Sequence, residues 1–275
     1  PYTVQSDYYG ISNDRRLQHW VDCIQEEHVR SPIDLLLIAG DISFDLCDRR
    51  GTVTNGLGST VELFMEKYMA QIPGEIKLFM LPGNHDPYYD ENWVKKTGFH
   101  RHGYVLLEDH LFIMVDTFSE GLEENYDMER GTPYVQANVE YIRGIMDHYP
   151  THKVWLVSHY FHPKEESKEF QRLIRENNRI FGLFSGHSHQ SHVIQLGENY
   201  ANKTIAQTGH FSYSFYSIFP TGNVEDEFNA FFGFRELVIG EDSAYSNYIV
   251  PDTKGLPLVL KDQITKVDLR RREVY

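Results

Sequence analysis

Four apolar segments of the sequence each end in residue types that bind metal ions. The acidic, amide and imidazole side chains at these ends carry oxygen and nitrogen donors, and no cysteine is among them. Carboxylate oxygens and imidazole nitrogens are ligands for Zn, Mn and Fe in proteins. A transition-metal site is therefore predicted from the segments Leu35–Asp41, Leu78–Asp86, Val154–His159 and Phe184–His189.

Each of these polar residues has a more ordinary interpretation when it is taken alone. Asp41 would be a turn residue or a helix cap, Asn84 a turn residue, and His159 a hydrogen-bonded core histidine. His187 and His189, two positions apart, would be a partly exposed pair. Their joint occurrence after four apolar segments favours one common site over separate explanations.

The apolar segments themselves predict strands of an α/β fold. Asp34–Ala39 and Ile76–Leu81 are nearly continuous apolar runs, typical of strands that are buried on both faces. Lys153–Ser158 and Ile180–Ser185 predict two more strands. Sites in open α/β sheets lie beyond the carboxyl ends of the strands, so neighbouring strand ends would bring the polar residues together.

Apolar residues at helical spacing predict helices between these strands. The helices cover Leu17–Ile24, Val61–Tyr68, Val135–Met146 and Lys164–Asn177. Ser59 and Glu62 form a capping box in front of the second helix. Tyr104–Leu107 and Leu111–Val115 predict a hairpin, and the acidic stretch 118–133 predicts a long loop because it has no periodicity.

The pattern changes after residue 190, where short strands with turn signals replace the alternation. These strands are Thr204–Thr208, Phe232–Ile239, Ala244–Val250 and Leu256–Val267. They predict a second, more antiparallel sheet, so the fold class is α/β, with a two-sheet β-sandwich flanked by helices. No Pro/Gly/Ser linker interrupts the chain. We therefore expect a single domain over 1–275, with the motifs in 1–190 and the second sheet in 191–275.

The net charge of −14 restricts the partners of the protein. Duplex nucleic acid would be repelled by such a surface, whereas a small anionic substrate could bind where metal ions reverse the local field. The oligomeric state is open. The two cysteines form no framework, and no apolar run is long enough to span a membrane. A cytoplasmic location is expected, although a leader could have been removed before Pro1.

The motifs, taken in order, resemble the signature of the calcineurin-like metallophosphoesterases. The matching blocks are Gly40-Asp41, Gly83–Asp86, Ser158-His159 and Gly186–His189, and the resemblance spans roughly residues 4–190. It implies a four-layer α/β/β/α fold and two transition-metal ions, with Mn, Fe and Zn as the candidates. The implied activity is hydrolysis of a phosphomonoester or phosphodiester through attack by a hydroxide that bridges the two metals.

The resemblance also implies a role for each residue at a motif position. The implied metal ligands are Asp7, Asp41, Asn84, His159, His187 and His189. Asp41 would bridge the two ions, the three ligands that follow it would complete one site, and Asp7 and His189 would serve the other.

Two further residues are implied to be catalytic, and one motif departs from the family pattern. His85 would lie over the substrate phosphate without binding metal, and Asp86 would orient His85. The family usually has Asp-x-His in its first motif, but the stretch from Asp7 to Tyr9 offers no histidine. Tyr9 either lines the pocket beside a weak or water-completed site, or it binds Fe(III) as a phenolate, or the loop is shorter and the ligand is missing.

Other functions fit the same motifs. One is a non-catalytic or single-metal relative that acts as a binding or scaffold protein, and another is a metallohydrolase that cleaves an amide. The retained His85 favours catalysis. The substrate pocket would be lined by aromatic and histidine residues near the strand ends, which could stack a base or hold a lipid head group. These candidates are Tyr88, Tyr89, His100, His102, Phe161, His162, His210, Phe211 and Tyr213.

Overall fold

The computed structural model describes residues 13–42, 59–121, 131–189, 191–209, 233–241, 243–249 and 259–268, and for 259–268 the backbone alone. Several sequence predictions lie outside these residues. They concern the first-motif residues Asp7 and Tyr9, the acidic stretch 122–130, and three of the pocket candidates, His210, Phe211 and Tyr213.

The amino-terminal part alternates helices with two parallel strands. Its elements are α1 (Asn13–Arg30), β1 (Leu35–Ala39), α2 (Thr60–Lys67), a 3₁₀ turn (Met69–Gln71), β2 (Lys77–Leu81) and α3 (Asp90–Thr97). The predicted cap of α2 is confirmed, because Ser59 Oγ accepts a hydrogen bond from the Glu62 amide at 3.3 Å. Helix α3 was not predicted, since eight residues with Trp93 and Thr97 buried give too short a periodic signal.

The remaining elements form most of the sheet structure. They are β3 (Gly103–Leu107), β4 (His110–Met114), α4 (Val139–His148), β5 (Lys153–Ser158), α5 (Lys168–Glu176), β6 (Ile180–Ser185), β7 (Val193–Gln195), a 3₁₀ turn (Glu198–Tyr200), β8 (Thr204–Gln207), β9 (Phe234–Ile239), β10 (Ser243–Ile249) and β11 (Val259–Asp268). The hairpin of β3 and β4 and the strands β5 and β6 are confirmed where the sequence predicts them.

The longest sheet among the described residues has six strands in the order β3-β4-β5-β6-β8-β7. Strands β4, β5, β6 and β8 run parallel, and β3 and β7 are antiparallel edges. Strand β1 pairs in parallel with β2, and β9, β10 and β11 form an antiparallel group. The assignment of Thr204–Thr208 to the second, antiparallel sheet was therefore wrong, because β8 pairs in parallel with β6.

Side chains of β1 alternate between two hydrophobic cores. Leu36 and Ile38 pack on the core beneath α1, α2 and α3, while Leu35 and Leu37 pack on a second core that includes Trp155 of β5. Both faces of β1 are therefore covered, as the apolar run predicts, although its side chains are only half-buried.

The second core lies between two layers of strands: the six-stranded sheet forms one layer, and β1 and β2 together with β9 and β10 form the other. Leu81 of β2, Trp155 of β5 and Ala244 of β10 are all buried in it, and Leu237 of β9 packs against it. A third core covers the other face of the six-stranded sheet, where helices α4 and α5 pack. The layers are therefore helices, sheet, sheet and helices, and the predicted four-layer α/β/β/α fold is confirmed.

Helices α4 and α5 begin later than the apolar spacing predicts. Asn138 Oδ1 accepts a hydrogen bond from the Tyr141 amide at 3.0 Å, so α4 begins after this cap and Val135 lies outside it, 41% exposed. In the same way Ser167 Oγ accepts from the Phe170 amide at 3.0 Å and caps α5. In the part of the chain that the structure describes, no helix has both the length and the apolar character to cross a bilayer.

Candidate metal centre

The carboxyl ends of four strands, two from each sheet, bring the candidate ligands together. Asp41 follows β1, Asn84 follows β2, His159 follows β5 and His187 follows β6. Because β1 pairs in parallel with β2, and β5 with β6, the carboxyl ends of each pair lie at the same edge of their sheet, and these two edges meet at the cluster. Residues as distant in the chain as Asp41 and His187 become neighbours in this way.

Four donor atoms of this cluster lie about as far apart as ligands of a single ion. His159 Nε2 is 3.2 Å from Asp41 Oδ2, 3.1 Å from Asn84 Oδ1 and 3.2 Å from His187 Nδ1. His187 Nδ1 is 3.1 Å from Asn84 Oδ1. Ligands bound at about 2.0–2.2 Å to one tetrahedral or octahedral ion are separated by about 3 to 3.5 Å. The spacing therefore fits one transition-metal ion.

The orientation of His159 is set by a backbone carbonyl. Its Nδ1 lies 2.5 Å from the Ala39 carbonyl oxygen, which can only accept a hydrogen bond. Nδ1 therefore carries a hydrogen, and Nε2 is the ring nitrogen that faces Asp41 and Asn84. Such a carbonyl partner is the usual way in which a protein orients a metal-binding histidine.

Charge in the cluster also favours a cation at this position. Burial disfavours the charged form of His159, but the charge and the hydrogen bond of Asp41 outweigh burial and raise the pKa of His159. Burial works against the Asp41 carboxylate too, yet His159 and His85 hold the pKa of Asp41 well below its usual range. The cluster thus attracts positive charge, and a proton and a metal ion would compete for it.

His187 and His189 are neutral at physiological pH, as metal ligands must be. Burial lowers the pKa of His187 to about 3, with a further contribution from the charge of His159. Burial lowers the pKa of His189 to about 4. His189 lies beside the cluster, but it is not among the four side chains whose donor atoms converge.

The backbone is strained at the candidate ligands. Asp41, His187 and His189 have φ angles of 55°, 67° and 58°, in the left-handed region. Within the described ranges they are three of the six non-glycine residues with positive φ. Such residues cost of order 1–3 kcal/mol each and cluster at functional sites.

Two glycines allow the ligand loops to approach each other closely. A Cβ atom on Gly83 would lie 2.2 Å from Asp41 Oδ1, and one on Gly40 would lie 2.6 Å from the Gly83 nitrogen. Both distances are far below van der Waals contact, so the loops after β1 and β2 touch through backbone atoms. The expected close backbone approach at Gly40 and Gly83 is therefore present.

His85 and Asp86 connect the same two loops. The His85 amide donates a hydrogen bond to Asp41 Oδ1 at 3.0 Å, and the His85 side chain is 9% exposed. Asp86 is fully buried, and its Oδ2 accepts hydrogen bonds from the amides of Gly83 at 2.8 Å and Ile42 at 3.2 Å. The Asp86 carboxylate thus ties the loop of Asp41 to the loop of Asn84.

Aromatic rings cover one side of the cluster. The Phe118 ring centroid lies 5.4 Å from His159 and 5.9 Å from His187, and the Tyr160 centroid lies 4.6 Å from His187. The sequence did not predict either residue as part of the pocket: Tyr160 is not among the pocket candidates, and Phe118 is only the first residue of the predicted acidic loop. Their positions in the loops that follow β4 and β5 were the signal that could have identified them.

Two of the predicted pocket residues are core residues instead. Tyr88 is 0% exposed and its ring contacts Trp93. Phe161 is 2% exposed and stacks on Phe170, with centroids 5.6 Å apart. The prediction that they line the pocket was wrong: Tyr88 packs in the core with Trp93, and Phe161 is directed away from the site because consecutive side chains leave an extended segment on opposite sides. Tyr160 lies against the candidate ligand His187, so Phe161 faces the core.

A buried arginine holds the segment behind the cluster. Arg101 Nε donates to Asp116 Oδ2 at 2.7 Å, and its Nη2 donates to the Phe118 carbonyl at 3.1 Å. A further hydrogen bond runs from Nη1 to the Tyr88 carbonyl. Arg101 is 1% exposed and Asp116 is 6% exposed. The guanidinium therefore fixes the backbone that carries Phe118.

We expect Arg101→Met to destabilise the protein by about 3–5 kcal/mol, because Asp116 would lose its buried charge partner. Arg143→Met is the matched control: Arg143 pairs with Glu169, and their side chains are 37% and 50% exposed, so its loss should cost below about 1 kcal/mol. Denaturant unfolding of both variants measures the difference. Equal losses of unfolding free energy would show that the buried pair has no special structural role.

Both the sequence and the fold of the chain resemble those of known proteins. A sequence model of the calcineurin-like phosphoesterase family matches residues 1–191. No curated protein is similar enough in sequence to count as a relative. Among solved structures, the chain is similar to GAP50, described as the anchor in the inner membrane complex of Plasmodium, with a TM-score of 0.54 at 13% identity over 92% of this chain and 82% of that one.

A second solved structure has a weaker likeness. It is a protein of Streptococcus pneumoniae described as a predicted phosphoesterase, with a TM-score of 0.33 at 10% identity over 85% of this chain and 96% of that one. The likeness to GAP50 shows a shared fold. The family match covers more than half of the chain and every ligand loop of the cluster, so the chain belongs to the calcineurin-like phosphoesterase family.

Proposed function

We propose that the protein is a metal-dependent hydrolase of small phosphomonoesters or phosphodiesters. The observation that carries this proposal is the convergence of four donor atoms on one place: His159 Nε2 lies 3.1–3.2 Å from donor atoms of Asp41, Asn84 and His187. Oxygen and nitrogen donors without thiolate suit Mn, Fe or Zn. The net charge of −14 leaves small anionic esters as better substrates than duplex nucleic acid.

A second metal site is proposed beside the first. Asp41 would bridge the two ions, and Asp7 and His189 would serve the second. The low pKa of His189, caused by burial, keeps its imidazole neutral and able to bind metal. Two such ions, when bound, would neutralise charge on the phosphoryl oxygens and make a nucleophilic water more acidic.

The protein's own groups would position the substrate and move a proton. The His85 amide donates a hydrogen bond to Asp41, and the charge of the His85 side chain contributes to the lowered pKa of Asp41, so this side chain is close to the ligand cluster. There it would contact the phosphoryl group and give a proton to the leaving oxygen. Asp86 would act as a positioning residue, because it accepts hydrogen bonds from the amides of Gly83 and Ile42.

One experiment tests the proposal directly. Protein stripped of metal would be reloaded with Mn, Zn, Fe or Co and assayed with p-nitrophenyl phosphate and bis-p-nitrophenyl phosphate. We expect hydrolysis that depends on the added metal, and the ratio of the two rates distinguishes a monoesterase from a diesterase. Metal-loaded protein that turns over neither ester would contradict the proposal.

A second candidate function is a non-catalytic or single-metal relative that serves as a scaffold. Its support is the first motif, where Tyr9 stands near the position of the family's histidine. The structural neighbour GAP50 is described as an anchor, which shows that such a role is worth testing here. A binding stoichiometry of one metal per chain, without turnover, would favour this candidate over the enzyme.

The role of Tyr9 can be tested by restoring the family's residue. If Tyr9 lines the pocket, Tyr9→His should tighten binding of the second metal equivalent, measured by competition with a chromophoric chelator. Tyr8→His is the matched control and should leave that affinity unchanged. If Tyr9 binds Fe(III) as a phenolate, the iron-loaded parent should be coloured and Tyr9→Phe should bleach it. No change in affinity and no colour would mean that Tyr9 does not face the site.

We also propose that the whole of 1–275 acts as one domain. Leu237 and Ala244, from the later strands, pack in the same core as Leu81 and Trp155. Because this core lies between the two sheets, neither part would keep it covered alone.

A further inference from the structure

One half-buried tyrosine lies directly beside a candidate metal ligand. The ring centroids of Tyr160 and His187 are 4.6 Å apart, and the ring planes meet at 35°. This is a close, tilted contact between the two rings. Tyr160 therefore stands at the edge of the ligand cluster, next to the ring of His187.

The position of Tyr160 is fixed by buried hydroxyl groups. Its carbonyl oxygen accepts hydrogen bonds from Thr117 Oγ1 at 2.6 Å and from Ser158 Oγ at 3.0 Å. Thr117 and Ser158 are both 0% exposed. The ring therefore stands on a rigid part of the fold and would lose little conformational entropy when a ligand binds.

Two more rings surround Tyr160. Tyr134 and His162 contact its ring at 6.0 and 5.6 Å, both edge to face. The Tyr134 hydroxyl donates to the Glu166 carboxylate at 2.5 Å and accepts from the His162 amide at 3.0 Å. These hydrogen bonds hold Tyr134 and the backbone of His162 in place beside Tyr160. We call Tyr134, Tyr160 and His162 the aromatic subsite.

Core packing alone does not account for this subsite. Phe161, the next residue, is 2% exposed and packs into the core, whereas Tyr134, Tyr160 and His162 are all only half-buried. They form an accessible aromatic surface at the edge of the metal cluster.

We propose that the aromatic subsite binds the leaving group of the substrate and selects a planar, uncharged ring. The inference rests on the proposed function, since it takes the metal cluster as the phosphoryl site. Offset stacking on Tyr160 would stabilise a flat ring in particular. A second anionic group would be repelled, because Glu166 touches Tyr134 and Glu165 pairs with His162 at 3.3 Å. The substrate class is then a phosphoester of an aryl alcohol or of a nucleoside.

Equilibrium binding of substrate-like phosphonates tests the subsite without any turnover. Phenylphosphonate and cyclohexylphosphonate have the same charge and nearly the same size, but only the first is flat. We expect Mn- or Zn-loaded protein to bind phenylphosphonate about 3- to 10-fold more tightly in calorimetry, the usual advantage of an aromatic pair. Tyr160→Phe should keep this ratio, and Tyr160→Leu should bring it close to one.

The control and a third ligand complete the design. Tyr104→Leu changes an exposed tyrosine whose ring contacts Tyr149, and it should keep the parent's ratio. If the non-hydrolysable phosphonate analogue of 5′-AMP binds more tightly than phenylphosphonate and its binding depends on Tyr160, the ring is a nucleobase; the reverse order indicates an aryl ester. A ratio near one in the parent, or an unchanged ratio in Tyr160→Leu, would overturn the subsite while leaving the phosphoesterase proposal intact. Metal-loaded parent that binds none of the three ligands would contradict both.

Discussion

Asp41→Ala and His159→Ala should each remove the transition metal that we expect at the strand ends. Asp41 Oδ2 and His159 Nε2 lie 3.2 Å apart, so either change deletes one of four convergent donors. Loss of an outer-shell partner alone usually costs about 10–100-fold in metal affinity, and loss of a direct ligand should cost more. Elemental analysis of protein purified without chelator measures the metal content, and activity should fall with it.

The control separates loss of a ligand from general damage to the core. His110→Ala also removes a buried histidine, one that accepts a hydrogen bond from Trp155 Nε1 at 2.9 Å. It should lower stability and leave the metal content unchanged. If the Asp41 and His159 variants retain as much metal as the parent, the assignment of the cluster is wrong.

His85→Ala should lower kcat by about 10²–10⁴, the usual effect of removing a general acid, while the metal content stays unchanged. The reason is the position of His85. Its amide donates a hydrogen bond to Asp41 Oδ1, but its side chain is not one of the four candidate ligand side chains whose donor atoms converge. Steady-state kinetics and elemental analysis on the same preparation measure both quantities. His85→Asn should behave in the same way, since an amide cannot supply the proton.

Asp86→Ala provides the contrasting variant. Asp86 accepts hydrogen bonds from two buried amides, so its loss should cost about 1–3 kcal/mol for each amide left unpaired and should also loosen metal binding. Two results would count against these roles. Metal loss in His85→Ala would make His85 a ligand, and an unaltered kcat would remove it from the mechanism.

The sequence was sufficient to predict the fold class and most of the strands. Two strands are observed with the predicted bounds, Lys153–Ser158 and Ile180–Ser185. Parallel strands that are buried on both faces have short, nearly continuous apolar sequences, which makes them easy to predict. Helix starts were less accurate. The apolar spacing extends back to Val135, but Asn138 is the N-terminal cap of α4, so the helical backbone begins only after Asn138.

Sheet membership was decided by tertiary structure. Strand β8 has the same local character as the later antiparallel strands, yet it pairs in parallel with β6. The backbone groups of a strand can pair with any strand that comes alongside, so local sequence does not name the partner. The choice depends on how the whole chain covers its cores.

The chemical identity of the candidate site was determined by the sequence, since donor type is a property of each residue. Asp41, Asn84, His159 and His187 were selected from their types and their positions after apolar runs. The distances of 3.1–3.2 Å from His159 Nε2 to the other three, and the hydrogen bond from His159 Nδ1 to the Ala39 carbonyl, were decided only by the meeting of the two layers of strands.

The surroundings of the site were likewise decided only by the tertiary structure. Tyr160 faces His187 while Phe161 faces the core, and Arg101 binds the carbonyl of Phe118 from a distant turn. These contacts join residues far apart in the chain, and their energies depend on distance and burial. A linear sequence carries the donor groups themselves, but the distances and the burial exist only once the two sheets have packed together.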